Sequence, residues 1–279
     1  MNQYYAGISS DADYHPPHCK LTSANSGCMD VVTEWQVFNI LDKLSSTATG
    51  LDQLPAWFLR LGAPVFYKPL TYLFNMSISI STVPHQWKLA AIQPVPKVPT
   101  ASQYAEFRPI SITPVLSKTL ERIFVRKFLY PAYITLPPSL TFSDQYAFRP
   151  TGCTSAALIA ILQSITDLLS NNQFVIVLAL DFSKAFDTIC HSTLNKMALL
   201  DIPDAAYKWL VDFFVGHEHC RPTRYGGTTS TVLDISASII QGSAIGPASY
   251  VVNAADLTTV TLGNAMFEHR IAKHYWRYC

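Results

Sequence analysis

The residue with the clearest chemical potential in this sequence is Asp181, which ends an uninterrupted apolar run. Residues 174–180 read FVIVLAL. The run is rich in Val and Ile and too short for a typical helix, so it predicts a strand buried on both faces. A carboxylate at the carboxyl end of such a strand lies at the rim of a sheet, where open α/β folds place their chemistry. Asp181 is therefore a candidate ligand for a hard cation, but one carboxylate alone cannot make a phosphoryl-transfer site.

Other interpretations of these residue types stay open. Asp181 could simply cap the turn that follows it. As a phosphohydrolase nucleophile it would usually have a second Asp two residues on, where this chain has Ser183. One cluster of residues resembles a zinc site, but it lacks a second paired half. That cluster consists of His15, His18, Cys19 and Cys28.

The composition predicts a folded protein with a large core. The chain has 279 residues, of which 49% are hydrophobic and 14% are charged, so bulk disorder is excluded. The six cysteines show no C-x-x-C pair, as in a reduced intracellular protein, and the nucleus and the cytoplasm stay open as its location. No apolar run reaches the roughly 18 to 20 residues that a membrane span needs.

Positive charge is concentrated in one part of the chain. The net charge is +1, yet residues 85–130 contain seven basic residues and two acids. A phosphate-facing surface would have this pattern, and so would a solvated helix face.

Hydrophobic periodicity predicts an α+β chain that begins with a loose polar leader over 1–30. Two extended segments, LAAIQPV and FRPISIT, lie in a region where six prolines between 84 and 114 exclude a continuous helix. A later pair of strands is predicted around Gly226-Gly227. Helices are predicted over about 30–44, 56–79, 115–129, 155–169, 192–200, 204–215 and 247–257.

The order of five sequence blocks resembles the reverse transcriptase domain of non-LTR (LINE-type) retrotransposons. The blocks span about residues 40–265, and any one of them alone would be a weak signal. They read KLSSTATGLDQLPAWFLR (43–60), VPHQWKLAAIQPVPKVPTASQYAEFRPISITPVLSKTLERIF (83–124), DQYAFRPTGCTSAAL (144–158), LALDFSKAFDTICH (178–191) and SIIQGSAIGPASYVVNAADL (238–257).

The resemblance implies two-metal nucleotidyl transfer with Mg²⁺, acting on an RNA template, a DNA primer and deoxynucleotide triphosphates. Asp181 would be the catalytic metal ligand, and the backbone carbonyl of Phe182 would face the second ion. Phe186 would lie under the sugar of the incoming nucleotide and exclude a 2′-hydroxyl. The other implied roles are phosphate contacts for Lys97 and Arg108, a nucleotide pocket shaped by Gln241 and Gly242, and template contact for Arg149.

The implied fold is a right-hand polymerase fragment with an antiparallel sheet packed on helices. A polar leader and entry helix (1–39) would precede a fingers-like region (40–170), a partial palm (171–267) and a non-homologous tail (268–279). The oligomeric state stays open.

One departure from the family pattern bears on activity. The aromatic-Ala-Asp-Asp motif should follow shortly after Phe267, but the chain contains no Asp-Asp dipeptide. We therefore expect a truncated and inactive reverse transcriptase domain, whose last residues come from a frameshift or an annotation artefact. The alternative is a non-catalytic nucleic-acid-binding remnant of a retrotransposon.

Overall fold

A computed structural model describes most of the chain. It covers residues 1–15, 17, 20, 32–142, 145–149, 152–180, 186–187, 189, 191, 193–220, 230–237, 240, 242–257, 259 and 265–267.

Helices dominate the described residues before position 89. They are α1 (Asn2–Ile8), α2 (Glu34–Asp42), α3 (Ala56–Leu61), α4 (Ala63–Ser79) and α5 (His85–Lys88). Helix α2 begins one residue after Thr33, whose side chain forms a reciprocal capping box with Gln36. The predicted helix over 56–79 is divided at Gly62 into α3 and α4.

The later helices follow the predicted positions closely. Helix α6 (Val115–Phe124) continues through a π-helical turn, Val125–Leu129, into the short helix α7 (Tyr130–Ala132). The remaining helices are α8 (Thr154–Asn171), α9 (Thr193–Met197), α10 (Asp204–Phe214) and α11 (Ile245–Asn253). Among the described residues, no helix has both the length and the apolar character needed to cross a bilayer.

Within the described residues, four strands form one mixed sheet in the order β2-β1-β3-β4. The α+β class is confirmed, but the expectation of an antiparallel sheet is wrong for the central pair, because β1 and β3 run parallel. Helices lie between these two strands in the chain, and a long helical connection allows parallel pairing. The strands are β1 (Leu89–Pro96), β2 (Phe107–Ile112), β3 (His217–Cys220) and β4 (Leu233–Ile235).

The core joins α6 to α10 through stacked aromatic rings. The rings of Phe124 and Trp209 lie 4.5 Å apart at an interplanar angle of 22°, and both residues are buried. Offset stacking of this kind adds about 0.5–1.5 kcal/mol to the free energy that area burial contributes. These contacts hold the helix that follows β2 against the helix that precedes β3.

The predicted buried strand over 174–180 is wrong. The segment has no assigned strand, and its apolar side chains are largely exposed, with Phe174 at 74%, Leu178 at 80% and Leu180 at 88%. Apolar composition favours a buried strand, but a strand also needs a neighbour for its backbone N–H and C=O groups. Among the described residues, no strand pairs with this segment.

The loose leader expected over 1–30 is also wrong for its first part. Helix α1 packs on the sheet with Tyr5 buried, and the Asn2 amide donates to the Thr231 carbonyl at 3.0 Å. The Ser9 carbonyl then accepts from the backbone N–H groups of Ser236 and Ala237. The polar composition of this segment gave no indication that Asn2 and Tyr5 would be buried.

A buried charged group supports the start of β1. The Lys88 ammonium lies 2.9 Å from the Asp212 carboxylate, which also accepts the Val83 N–H at 2.7 Å. Beside this pair, His217 Nδ1 donates to the Lys88 carbonyl at 2.9 Å. Burial lowers the pKa of His217 to about 4, and the positive charge of Lys88 acts in the same direction.

We predict that stability falls on acidification because of His217. The folded pKa of about 4 lies below the ordinary value of 6.5, so the unfolded chain binds the proton more readily between them. The histidine's contribution is therefore complete above pH 6.5 and is lost as the pH falls toward 4. We expect a loss of about 2 kcal/mol in the free energy of unfolding between pH 7 and pH 5. Urea denaturation across this range measures it, and an equal acid loss in His217→Phe would contradict the assignment.

Candidate nucleotide-binding site

Three of the predicted site residues, Asp181, Phe182 and Gln241, lie outside the described residues. The structure therefore does not test the metal-binding role expected of the first two. Within the described part of the chain, no group of three or more His, Cys, Asp or Glu side chains could hold a metal ion. The magnesium expectation rests on sequence resemblance alone.

Gly242 is in a backbone conformation and a contact that require glycine. Its φ is +109°, and a Cβ atom there would lie 2.8 Å from the Ser111 carbonyl oxygen. Ser111 belongs to β2, the strand that also carries Arg108. The contact therefore brings the turn that contains Gly242 against the strand that contains a predicted phosphate ligand.

Phe186 lies in a cluster of three aromatic rings. Its ring stacks on Tyr250 at 5.3 Å and 8°, and Phe148 meets it edge-on at 6.0 Å. Phe186 is 6% exposed, so its ring is enclosed by protein in this arrangement. Its expected contact with the nucleotide sugar stays a prediction. Sequence reasoning did not foresee Phe148 or Tyr250 as its neighbours, although both lie within the blocks that carry the resemblance.

Lys97 and Arg108 lie at the same end of the β1–β2 hairpin. Arg108 pairs in register with Val95, while Lys97 follows β1 and donates its backbone N–H to the Glu106 carbonyl at 2.7 Å. The Lys97 ammonium is exposed and donates to the Ala105 carbonyl at 2.7 Å. The hairpin therefore places both residues at one end of its paired strands.

The acid nearest to these cations organises their loop. The Glu106 carboxylate accepts the backbone N–H groups of Gln103 at 2.9 Å and Ser102 at 2.6 Å. These hydrogen bonds hold the pKa of Glu106 below its usual range. Because the carboxylate turns back into the 102–106 loop, it fixes the shape of the segment between the two strands.

Arg149 is engaged with its own loop. Its Nη1 donates to the carbonyls of Phe142 and Gln145, and its guanidinium lies 5.8 Å from the centre of the Phe142 ring. These contacts hold residues 145–149, which include Phe148 of the aromatic cluster, against Phe142. A template contact for Arg149 stays a prediction.

Glu121 is the buried polar residue that sequence reasoning missed. It was counted only as one of two acids in a basic region, yet its side chain is buried and accepts the backbone N–H of Ala244 at 2.8 Å. Its position on the apolar side of the predicted α6, four residues after Ser117, was the available signal.

Two cavities differ in their relation to these residues. A small one of about 20 Å³ is lined in part by Ser111, Asp187, His219 and Ile240, and it has room for about one water molecule. A larger one of about 410 Å³ is lined by none of those predicted site residues that the structure describes. We therefore give the larger cavity no role in nucleotide binding.

We predict that Gly242→Ala destabilises the protein more than Gly216→Ala does. Gly216 also has a positive φ, +69°, but a Cβ there meets nothing within 4 Å, so it reports backbone strain alone. We expect a loss of about 1–2 kcal/mol for Gly216→Ala and at least about 3 kcal/mol for Gly242→Ala, from urea unfolding. Equal losses would show that Gly242 does not closely contact β2.

Comparison with known proteins is consistent with the blocks and their order. Residues 95–269 match the family model described as reverse transcriptase (RNA-dependent DNA polymerase). The RNA-directed DNA polymerase from mobile element jockey of Drosophila melanogaster is 28% identical over 237 residues, covering 84% of this chain and 25% of the relative.

Two further relatives are of the same kind. The jockey polymerase of Drosophila funebris is 26% identical over 232 residues, which are 82% of this chain and 25% of the relative. The probable RNA-directed DNA polymerase from transposon X-element of Drosophila melanogaster is 27% identical over 189 residues, 67% of this chain and 20% of the relative. The chain thus spans about a quarter or less of the length of these relatives. Since the family model matches more than half of its residues, the chain belongs to the reverse transcriptase (RNA-dependent DNA polymerase) family.

Proposed function

We propose that this chain is the nucleotide- and template-contacting part of a non-LTR retrotransposon reverse transcriptase. Fingers would extend over about 40–170, and part of the palm over 171–267. The observation that carries this proposal is the contact between Gly242 and the Ser111 carbonyl, because it joins two blocks that both bear predicted nucleotide ligands. The mixed sheet supports close association of the two regions, since β1 and β2 come from the first and β3 and β4 from the second.

The proposed substrates are deoxynucleotide triphosphates together with an RNA template and a DNA primer. Lys97 and Arg108 would bind the triphosphate, since the two residues lie at one end of the β1–β2 hairpin. Gln241 and Gly242 would border the nucleotide, and Arg149 would lie near the template. Phe186 would limit the space at the sugar, held in place by its stack on Tyr250.

Magnesium would be bound by Asp181 and by the backbone carbonyl of Phe182 in the intact polymerase. When bound, paired Mg²⁺ ions activate the primer hydroxyl and neutralise charge on the triphosphate. Acid clusters that could complete such a site are absent from the described residues, so we assign no further ligand.

We propose further that these 279 residues by themselves do not copy RNA. They contain no Asp-Asp pair to complete the metal site. The segment that leads to Asp181 is exposed and lies outside the described sheet, with Leu180 88% exposed. Two-metal catalysis needs carboxylates that hold two ions about 3.5–4 Å apart. A segment that pairs with no strand among the described residues does not fix such a carboxylate.

A primer-extension assay tests this proposal. We expect the purified chain, with Mg²⁺, an RNA template, a DNA primer and nucleotides, to give no more product than its Asp181→Asn variant. The variant keeps the size of the side chain and removes the charge that binds metal. If the unmodified chain extends the primer and Asp181→Asn does not, the proposal that these residues are inactive is overturned.

Exposed basic residues favour a second function, binding of nucleic acid without catalysis. Arg122 and Arg126 are exposed on α6 and the π-helical turn that follows it, and Lys97 is exposed beside β2. Lys88 does not contribute, because it is buried against Asp212. Cations on such a surface would displace counterions from phosphates and make affinity depend on salt.

We predict that Arg122→Ala/Arg126→Ala weakens RNA–DNA binding and reduces its salt dependence. Two lost phosphate contacts should lower the slope of log K against log salt by about 1.4–1.8. The control is Lys43→Ala/Lys208→Ala, which removes two exposed charges from other elements. Fluorescence anisotropy at 50 to 200 mM salt measures this slope for both variants. Identical slopes would show that α6 is not part of the binding surface.

A further inference from the structure

Glu121 is a buried carboxylate with both oxygens engaged. It is 1% exposed, its Oε1 accepts from the Ser117 hydroxyl at 2.9 Å, and its Oε2 accepts from the Ala244 N–H at 2.8 Å. Burial of a charged group is costly unless hydrogen bonds compensate for lost water. The contact to Ala244 joins positions 123 residues apart, so it connects two separate elements of the fold.

The contact is made at the beginning of α11. Ala244 is the residue immediately before this nine-residue helix, and the Ser243 hydroxyl accepts the Gly246 N–H at 3.0 Å. The first N–H groups of a helix have no partner within the helix, and negative charge is favoured there. Ser243 supplies one acceptor locally, and Glu121 supplies another from α6.

The same turn also approaches β2. Gly242 lies against the Ser111 carbonyl of β2, two residues before the amide whose hydrogen bond Glu121 accepts. Residues 242–244 therefore contact both β2 and α6. A shift of the turn would change at least one of these two contacts.

A half-buried cation, Lys118, lies one turn before Glu121 on the same helix. Burial lowers the pKa of Lys118, and the charge of Glu121 opposes part of that lowering. Asp52, from the loop before α3, also acts on the pKa of Lys118. The carboxylate is thus part of a local arrangement of charges that α6 presents to the interior.

We propose that Glu121 is a positioning residue that fixes the turn at residues 242–244 and couples α6 to it. Its importance for nucleotide binding rests on the proposed function of Gln241 and Gly242. The positioning itself rests only on the contacts described above. Glu121 touches no reacting group in this assignment and acts through the turn.

Amide hydrogen exchange, followed by mass spectrometry of peptides that cover residues 242–250, tests the proposal. We expect Glu121→Ala to speed exchange at the start of α11 by about tenfold or more, because the Ala244 N–H loses its acceptor. Glu121→Gln keeps an acceptor oxygen, so exchange should stay within about threefold of the unmodified chain.

The matched control is Thr119→Ala, also buried on α6. Its hydroxyl donates to the Val115 carbonyl at 2.8 Å within the helix and has no hydrogen bond to the turn. We expect it to leave exchange at 242–250 unchanged, while Ser117→Ala, which frees one oxygen of Glu121, speeds exchange about two- to fivefold. If Glu121→Ala does not fold, Ser117→Ala against Thr119→Ala decides the matter. Exchange unchanged in Glu121→Ala, or equal effects of Ser117→Ala and Thr119→Ala, would overturn the positioning role.

A nucleotide-binding measurement distinguishes failure of the Glu121 inference from failure of the proposed function. A fluorescent deoxynucleotide triphosphate is titrated into the unmodified chain, Glu121→Gln and Glu121→Ala, and we expect about fivefold weaker binding only in the last. If the nucleotide does not bind the unmodified chain, the proposed function is refuted. The exchange experiment then still tests the positioning role of Glu121. Binding that is equally tight in all three, with exchange accelerated in Glu121→Ala, would refute the coupling to the nucleotide.

Discussion

Backbone pairing along β1 is the interaction that brings distant parts of this chain together. The strand pairs with β2 along one edge and with β3 along the other, so residues 89–96, 107–112 and 217–220 share one sheet. The polar groups of each strand need a partner, and β1 supplies partners on both sides. The segment 174–180 shows the consequence of lacking such a partner. It has the composition of a buried strand, but without a partner among the described residues it stays outside the sheet and exposed.

The candidate site depends on this sheet through a single close approach. Because β2 is placed by β1, the Ser111 carbonyl lies where only a glycine at position 242 can pass. Helix α6 follows β2 directly and carries Glu121 to the same turn. The stack of Phe124 on Trp209 packs α6, the helix that bears this carboxylate, against α10. The turn at residues 242–244 is thus positioned by an earlier block of the chain, through contacts with β2 and α6.

This arrangement separates binding from catalysis in physical terms. Arg108 lies on a paired strand, Gly242 in a turn against β2 and Phe186 in a ring cluster, and long-range contacts support each of them. The proposed metal ligand Asp181 instead follows a segment that pairs with no strand in the described part of the chain. Preorganised geometry is what two-metal chemistry requires, whereas electrostatic attraction to phosphates needs only exposed cations. Membership of the reverse transcriptase family is therefore compatible with a chain that binds and does not copy.

The amino-acid sequence was sufficient to predict the family, the α+β class, the strands β1 and β2, and the approximate positions of α4, α6, α8 and α10. These follow from side-chain periodicity, from proline and glycine, and from the order of the blocks, all of which can be read along the chain. Other features emerged from the folded structure alone: the parallel pairing of β1 with β3, the burial of Tyr5, the stack of Phe186 on Tyr250 and the contact of Glu121 with Ala244. Each of these depends on which distant segment becomes a neighbour. A residue's type limits the partners it can accept, but the packing of the whole chain selects one of them.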